Sequence, residues 1–116
     1  MKKDTGFAQF VMDDLLADIE GVKAKPMFGG HGIYKNGVIF AIIAEGQLYF
    51  KVDAQMEGDY RKLGSRPFTY TMPNRKSMTM SYWLLPTDIM ENRSELPLWV
   101  NAAVMASKRA KKGKKK

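Results

Sequence analysis

His31 is the only histidine in this sequence and the first side chain to consider for proton transfer or metal binding. A zinc site needs three or four ligands, and the chain has no cysteine to add to one imidazole. A hydrolytic triad would also require a nucleophile motif, and the sequence has none. The sequence therefore favours a structural or solvent-facing His31, and we predict a protein that is not an enzyme, with no catalytic residue, metal site or cofactor.

Three carboxylates near the N-terminus, Asp13, Asp14 and Asp18, are a second candidate for chemistry. Paired carboxylates can bind Mg²⁺ or act as an acid and a base. The three residues fall on the polar side of a predicted helix over residues 5–20, opposite an apolar stripe. Because any solvated helix face has this pattern, we interpret the acids as a surface feature.

A run of glycines, Gly29, Gly30 and Gly32, could contact phosphate through backbone N–H groups. Such loops lead into a helix N-terminus, often with a Lys-Ser/Thr pair in fixed register. Here the glycines lead into a predicted strand and the pair is missing. The pattern predicts a tight turn and close backbone packing.

Tyrosines recur on the predicted strands at Tyr34, Tyr49, Tyr70 and Tyr82. Sheets that stack RNA bases carry such rings, together with basic residues around them. The net charge of +7 does not supply these bases, because seven positive charges follow Ser107 and the remaining twelve basic residues match the twelve acids. Core or interface packing is the favoured role of the rings.

The C-terminal segment, residues 108–116, is predicted to be a disordered basic tail that follows a single domain, residues 1–107. Two roles remain open for it, simple solubilisation or weak nonspecific binding to nucleic acid. The candidate contacts are Lys108, Arg109, Lys111, Lys112, Lys114, Lys115 and Lys116.

The order of predicted elements is a helix, a three-stranded meander, a short helix over residues 54–64, two strands and a last helix from about Ser94. Asn36-Gly37 is the strongest hairpin signal, since both residues tolerate positive φ. Residues 23–32 read as a loop. The pattern predicts an α+β two-layer sandwich, with a mainly antiparallel five-stranded sheet and its helices on one face.

One predicted strand, Val38–Ile43, is apolar on both sides. Its second side needs cover from another element or another chain. This motivates a hypothesis of a homodimeric, chaperone-like module that binds a protein or a ligand.

The stretch Met27-Phe28-Gly29-Gly30-x-Gly32-x-Tyr34 resembles the signature of the TfoX/Sxy competence regulators, in their N-terminal domain. The resemblance continues through Leu48-Tyr49-x-Lys51 and later core-type residues, and covers roughly residues 6–107. Lys25 stands where the family usually has Arg. The resemblance implies a fold similar to that of secretion chaperones, and longer members carry a further C-terminal helical domain.

The resemblance implies a noncatalytic regulatory domain that controls competence (DNA transformation) genes by binding another protein, such as a transcription factor. Longer members work with a cyclic-AMP receptor protein. The expected contact residues are Met27, Phe28, Gly29, Gly30, Gly32 and Tyr34. The N-terminus has no uninterrupted apolar run of the signal-peptide or membrane-spanning type, so we expect a bacterial, cytoplasmic protein without membrane contact.

Overall fold

The computed structural model describes residues 2–27, 30–71 and 77–114 of the chain. The helices are α1 (Lys2–Phe10), α2 (Glu57–Lys62), α3 (Thr87–Met90) and α4 (Leu96–Lys114), and a π-helical segment, Val11–Leu15, continues α1. The strands are β1 (Val22–Met27), β2 (Gly30–Lys35), β3 (Val38–Ala44), β4 (Gln47–Lys51), β5 (Pro67–Thr71) and β6 (Ser77–Leu84). The fold is α+β, as the sequence predicted.

The sheet has six strands in the order β1-β2-β3-β4-β6-β5, and every neighbouring pair is antiparallel. The prediction of five strands was wrong in this detail, because β1 lies largely within residues 23–32, whose glycines and proline predict a loop. Pro26 suggested a break, yet β1 is an edge strand, where a residue without an N–H is tolerated. Its lysines alternate with Val22 and Ala24, which pack against the core.

The first hairpin turn has the backbone conformation that the sequence predicts. Asn36 and Gly37 both have positive φ, 51° and 86°, as a type I′ turn requires. This turn joins β2 to β3. The connection between β3 and β4 repeats the pattern with Glu45 and Gly46, at φ 54° and 73°.

A β-bulge explains much of the doubly apolar character of β3. The register with β2 passes from Ile33–Ala41 to Tyr34–Ile39, so that Phe40 has no partner of its own. Phe40 and Ala41 are both fully buried, and the Phe40 ring meets Phe50 edge-on at 5.5 Å between centroids. Two adjacent residues therefore face the core, where strict alternation would have turned one of them outward.

The helices cover one face of the sheet. α4 packs across β3 and β4, while α1 and the π-helical segment pack beside it over β3 and β1. This face contributes the buried sheet side chains Ile33, Ala41, Ile43, Leu48, Phe50 and Trp83.

The last helix differs from its predicted limits at both ends. Asn92, not Ser94, supplies the side-chain oxygen that accepts the Glu95 backbone N–H, at 3.3 Å. The helix then continues through Lys114, so residues 108–114 of the expected tail are helical.

Candidate interaction surface

The side of the sheet opposite α4 carries its own set of side chains, and no helix of the described part packs on it. Successive side chains of a strand point to opposite sides of the sheet, so the residues next to the core residues in each strand lie on this side. Examples are the cross-strand pairs Lys23–Tyr34 and Ile42–Tyr49. We call this surface the helix-free face. Its described side chains include Lys23, Lys25, Tyr34, Ile39, Ile42, Ala44, Gln47, Tyr49, Lys51, Phe68, Tyr82 and Leu84.

Two tyrosines of the helix-free face, Tyr49 and Tyr82, are buried and leave little ring surface open, whereas Tyr34 is half-buried. Tyr49 meets Phe68 at 4.9 Å between ring centroids, and its hydroxyl donates to Gln47 Oε1 at 3.0 Å. Burial, with a smaller contribution from the nearby Tyr34, raises the pKa of Tyr82 to about 12. Burial and the Glu45 carboxylate raise the pKa of Tyr49, against a smaller opposing effect of Arg66. These contacts favour packing over base stacking.

Lysines complete the helix-free face. Lys25 Nζ lies 5.3 Å from the centre of the Tyr34 ring, and Lys51 Nζ lies 5.1 Å from that of Tyr82, both within range of a cation–π interaction. The six strands contain four lysines and not one acid. All twelve acids of the chain therefore lie in helices, turns and loops. The sheet is basic although the body as a whole is neutral.

The predicted contact residues cluster at one edge of this face. Met27 pairs with Gly30 at the end of the β1–β2 ladder, and Gly32 and Tyr34 follow along β2. Gly30 is required for packing, because a Cβ there would collide with the backbone carbonyl of Ile43. Phe28 and Gly29 lie outside the described residues, as does the side chain of Met27.

His31 lies on β2 opposite Ile43, facing the helix side of the sheet. Its Nδ1 is buried and has no hydrogen-bond partner in the described part of the chain. Asp14 meets Arg93 at 3.4 Å in an exposed ion pair that joins the π-helical segment to the loop before α4. Among residues 2–27, 30–71 and 77–114, no group of three or more potential ligands could hold a metal ion.

Only two of the basic C-terminal residues, Lys108 and Arg109, have described side chains. Arg109 is ion-paired with Asp53, its Nε lying 3.0 Å from Asp53 Oδ2, and so joins α4 to the end of β4. Lys108 is exposed. The side chains of Lys111, Lys112 and Lys114 lie outside the described part, as do Lys115 and Lys116 entirely.

A groove of about 200 Å³ lies on the helical side, between α2 and α4. It is lined mainly by apolar side chains: Met56, Asp59, Tyr60, Leu98, Trp99 and Ala102. Tyr60 packs edge-on against Trp99 at 4.9 Å, and its buried hydroxyl has no partner in the described part. Burial raises the pKa of Tyr60 above its usual range.

A single antiparallel sheet with helices on one side and an open second side defines an open-faced α+β fold. The sequence model of the TfoX N-terminal domain family matches residues 14–107, most of the chain. The chain belongs to this family, which is associated with the regulation of competence. A search of curated proteins found no match. No helix in the described part of the chain is long and apolar enough to cross a bilayer.

Reasoning from the sequence missed the basic character of the sheet, because it compared charges over the whole body. One signal was available in the chain itself. No acid occurs between Glu20 and Glu45, while that interval holds Lys23, Lys25 and Lys35. The positions of the strands are needed to show that these basic residues lie in one sheet.

Proposed function

We propose that this domain is a noncatalytic regulatory adaptor of competence genes, which acts in the cytoplasm by binding an acidic surface of another protein. The observation that carries the proposal is the helix-free face. It joins half-buried apolar side chains, Ile39 and Ile42, to exposed Lys23 and Lys25 in strands that contain no acid.

The position of the family signature supports this surface. Gly30, Gly32 and Tyr34 lie on β2, directly beside Lys23 and Lys25 on β1. A partner that covers β1 and β2 would contact the signature and the lysines together. Apolar residues at the centre with charges around them are typical of interfaces that form and dissociate.

The partner proposed from the family is a transcription factor of the cyclic-AMP receptor protein type. Binding would be sensitive to salt, since lysines at the rim of an interface act mainly on the rate of association.

Two charge-reversal variants test the proposal. In the native cell, the wild-type gene should restore competence-gene transcripts to a deletion strain, and the double variant Lys23→Glu/Lys25→Glu should not. Lys62→Glu is the matched control, because Lys62 is exposed on α2, on the helical side. Circular dichroism of the purified variants checks that each is folded.

Binding of the purified cyclic-AMP receptor protein of the same cell, followed by calorimetry, gives the direct measurement. Wild type and Lys62→Glu should bind equally, and the double variant at least tenfold more weakly. Transcripts unchanged by deletion of the gene would refute the regulatory role. Equal binding by all three proteins would refute the proposal that the helix-free face binds the partner.

The alternative hypothesis of a homodimeric chaperone-like module rested on the doubly apolar strand Val38–Ile43, and the structure weakens that argument. The bulge directs Phe40 and Ala41 into the core, so the apolar surface left on β3 is smaller than the sequence suggested.

A further inference from the structure

The outer edge of the sheet at β1 is open to pairing with another strand. β1 comes first in the strand order, and in the described part of the chain no strand pairs with its outer side. Lys23, Lys25 and Pro26 are exposed along this strand, and Val22 and Ala24 are half-buried. An unpaired edge of this kind can accept an extended segment through main-chain hydrogen bonds.

Two observations show which backbone groups of β1 point outward. The Asn36 N–H donates to the Gly21 carbonyl at 2.9 Å, just before Val22 begins the β1–β2 ladder. Because hydrogen-bonded and non-bonded pairs alternate in an antiparallel ladder, Val22, Ala24 and Pro26 all stand in non-bonded pairs with β2. Proline has no N–H to donate, so its position in such a pair agrees with this alternation. The outer edge therefore presents the N–H and C=O groups of Val22 and Ala24 and the carbonyl of Pro26.

The side chains along this edge are apolar on one side of the sheet and basic on the other. Val22 and Ala24 pack against the core on the helical side, whereas Lys23 and Lys25 lie on the helix-free face. The strands β1, β2 and β3 contain no acid to balance these lysines. The edge is thus complementary to an extended segment in which acids alternate with apolar residues.

We infer that β1 binds an extended acidic segment of the partner protein, which adds one strand to the sheet, antiparallel to β1. The inference rests on the proposed function for the acidic character of the partner, and it adds the way in which the partner binds. Main-chain hydrogen bonds to Val22 and Ala24 hold the segment. Its acids lie beside Lys23 and Lys25, and the apolar residues between them extend the core beside Val22 and Ala24.

Charge disfavours a second copy of β1 at this edge. In an antiparallel pair of two β1 strands centred on Ala24, Lys23 of one copy lies directly opposite Lys25 of the other, and this contact occurs twice. Like charges directly opposite each other destabilise a pair of strands. The lysines that oppose self-pairing attract a strand with acids, so the edge selects its partner by charge.

Calorimetry with a synthetic peptide in which glutamate alternates with valine tests the inference. Wild type should bind this peptide, and a peptide with lysine in place of glutamate should not bind. Ala24→Pro should weaken binding by about tenfold or more, because it removes the outward N–H and leaves the hydrogen bonds between β1 and β2 in place. Ala24→Val is the matched control, since valine keeps the N–H, and it should bind within about twofold of wild type. No binding by wild type, or equal binding by the two variants, would overturn the inference.

N-methylated peptides test the pairing with the protein unchanged. In an antiparallel pair, the residues opposite Val22 and Ala24 direct their N–H groups toward β1 and their side chains toward the helical side, which is the position of the valines. N-methylation of the valines should therefore abolish binding, whereas N-methylation of the glutamates should change the affinity by less than about threefold. Equal affinities of the two methylated peptides would contradict strand addition at β1.

The Ala24 variants also separate this inference from the proposed function. Both should give the circular dichroism spectrum of wild type, because neither removes a hydrogen bond of the β1–β2 ladder. If the cyclic-AMP receptor protein binds Ala24→Pro and Ala24→Val equally but binds Lys23→Glu/Lys25→Glu more weakly, the edge inference is wrong and the proposed function stands. Weaker binding by Ala24→Pro and by the lysine variant, with Ala24→Val unchanged, supports both.

Discussion

The two faces of the sheet differ in what covers them and in the charge around them. The face below the helices holds the fully buried Ile33, Phe40, Phe50 and their neighbours, sealed by α1, the π-helical segment and α4. The other face holds the buried Tyr49, packed on Phe68, and half-buried isoleucines among lysines. The first face forms the buried core, the second is the surface for which we propose recognition, and the bulge in β3 decides which apolar residues belong to each.

Truncating two adjacent residues on β3 should give the largest difference between the two faces in the loss of stability. Phe40→Ala should lower the free energy of unfolding by about 3–5 kcal/mol, as for other buried Phe residues. Ile39→Ala should cost only about 1–2 kcal/mol, since part of its side chain already contacts solvent. Urea unfolding measures both values, and equal losses would refute the assignment of the residues to opposite faces.

High pH should destabilise the helix-free face through Tyr82. Its pKa is raised to about 12 in the folded protein, so the unfolded chain loses its proton first. The stability is therefore intact below about pH 10 and decreases as pH rises toward 12, by less than about 2.7 kcal/mol because solvent screens part of the effect.

The difference between wild type and Tyr82→Phe in urea unfolding at each pH isolates this contribution, because the two proteins share every other titratable group. Wild type should lose more stability than the variant above pH 10. Parallel pH profiles would show that Tyr82 has an ordinary pKa.

Gly30 tests the close packing at the edge of the helix-free face. Gly30→Ala should lower stability by about 2 kcal/mol, because the added Cβ collides with the Ile43 carbonyl and the strands must separate. Gly58→Ala is the control, since Gly58 lies in α2 with open space around it, and alanine there should add about 0.5–1 kcal/mol. Thermal unfolding distinguishes the two, and a neutral Gly30→Ala would contradict the collision.

The helix-covered face has one polar defect, and its removal should have the smallest effect. Tyr60→Phe deletes a buried hydroxyl that has no partner in the described part and keeps the ring against Trp99. We expect stability to rise by about 1 kcal/mol, the cost of an unsatisfied buried group. A loss of stability in urea unfolding would show that the hydroxyl is hydrogen-bonded in solution.

Local sequence patterns predicted the elements whose cause is local. Asn36-Gly37 predicted the hairpin because few other residues accept positive φ. The glycine-rich signature identified the family. The contact residues on β2 were predicted only through that resemblance, and their role remains a prediction.

Tertiary structure decided everything that depends on which segments become neighbours. β1 alternates lysines with Val22 and Ala24 but contains a proline, and β2 pairs with it along its whole length. β6 lies between β4 and β5 because α2 carries the chain across, which no local pattern specifies. The bulge at Phe40 places two adjacent residues in the core, and the lysines of β1, β2 and β4 share one sheet because these strands become neighbours. Propensity and turn chemistry act over a few residues, whereas burial and charge at a surface are sums over segments far apart in the chain.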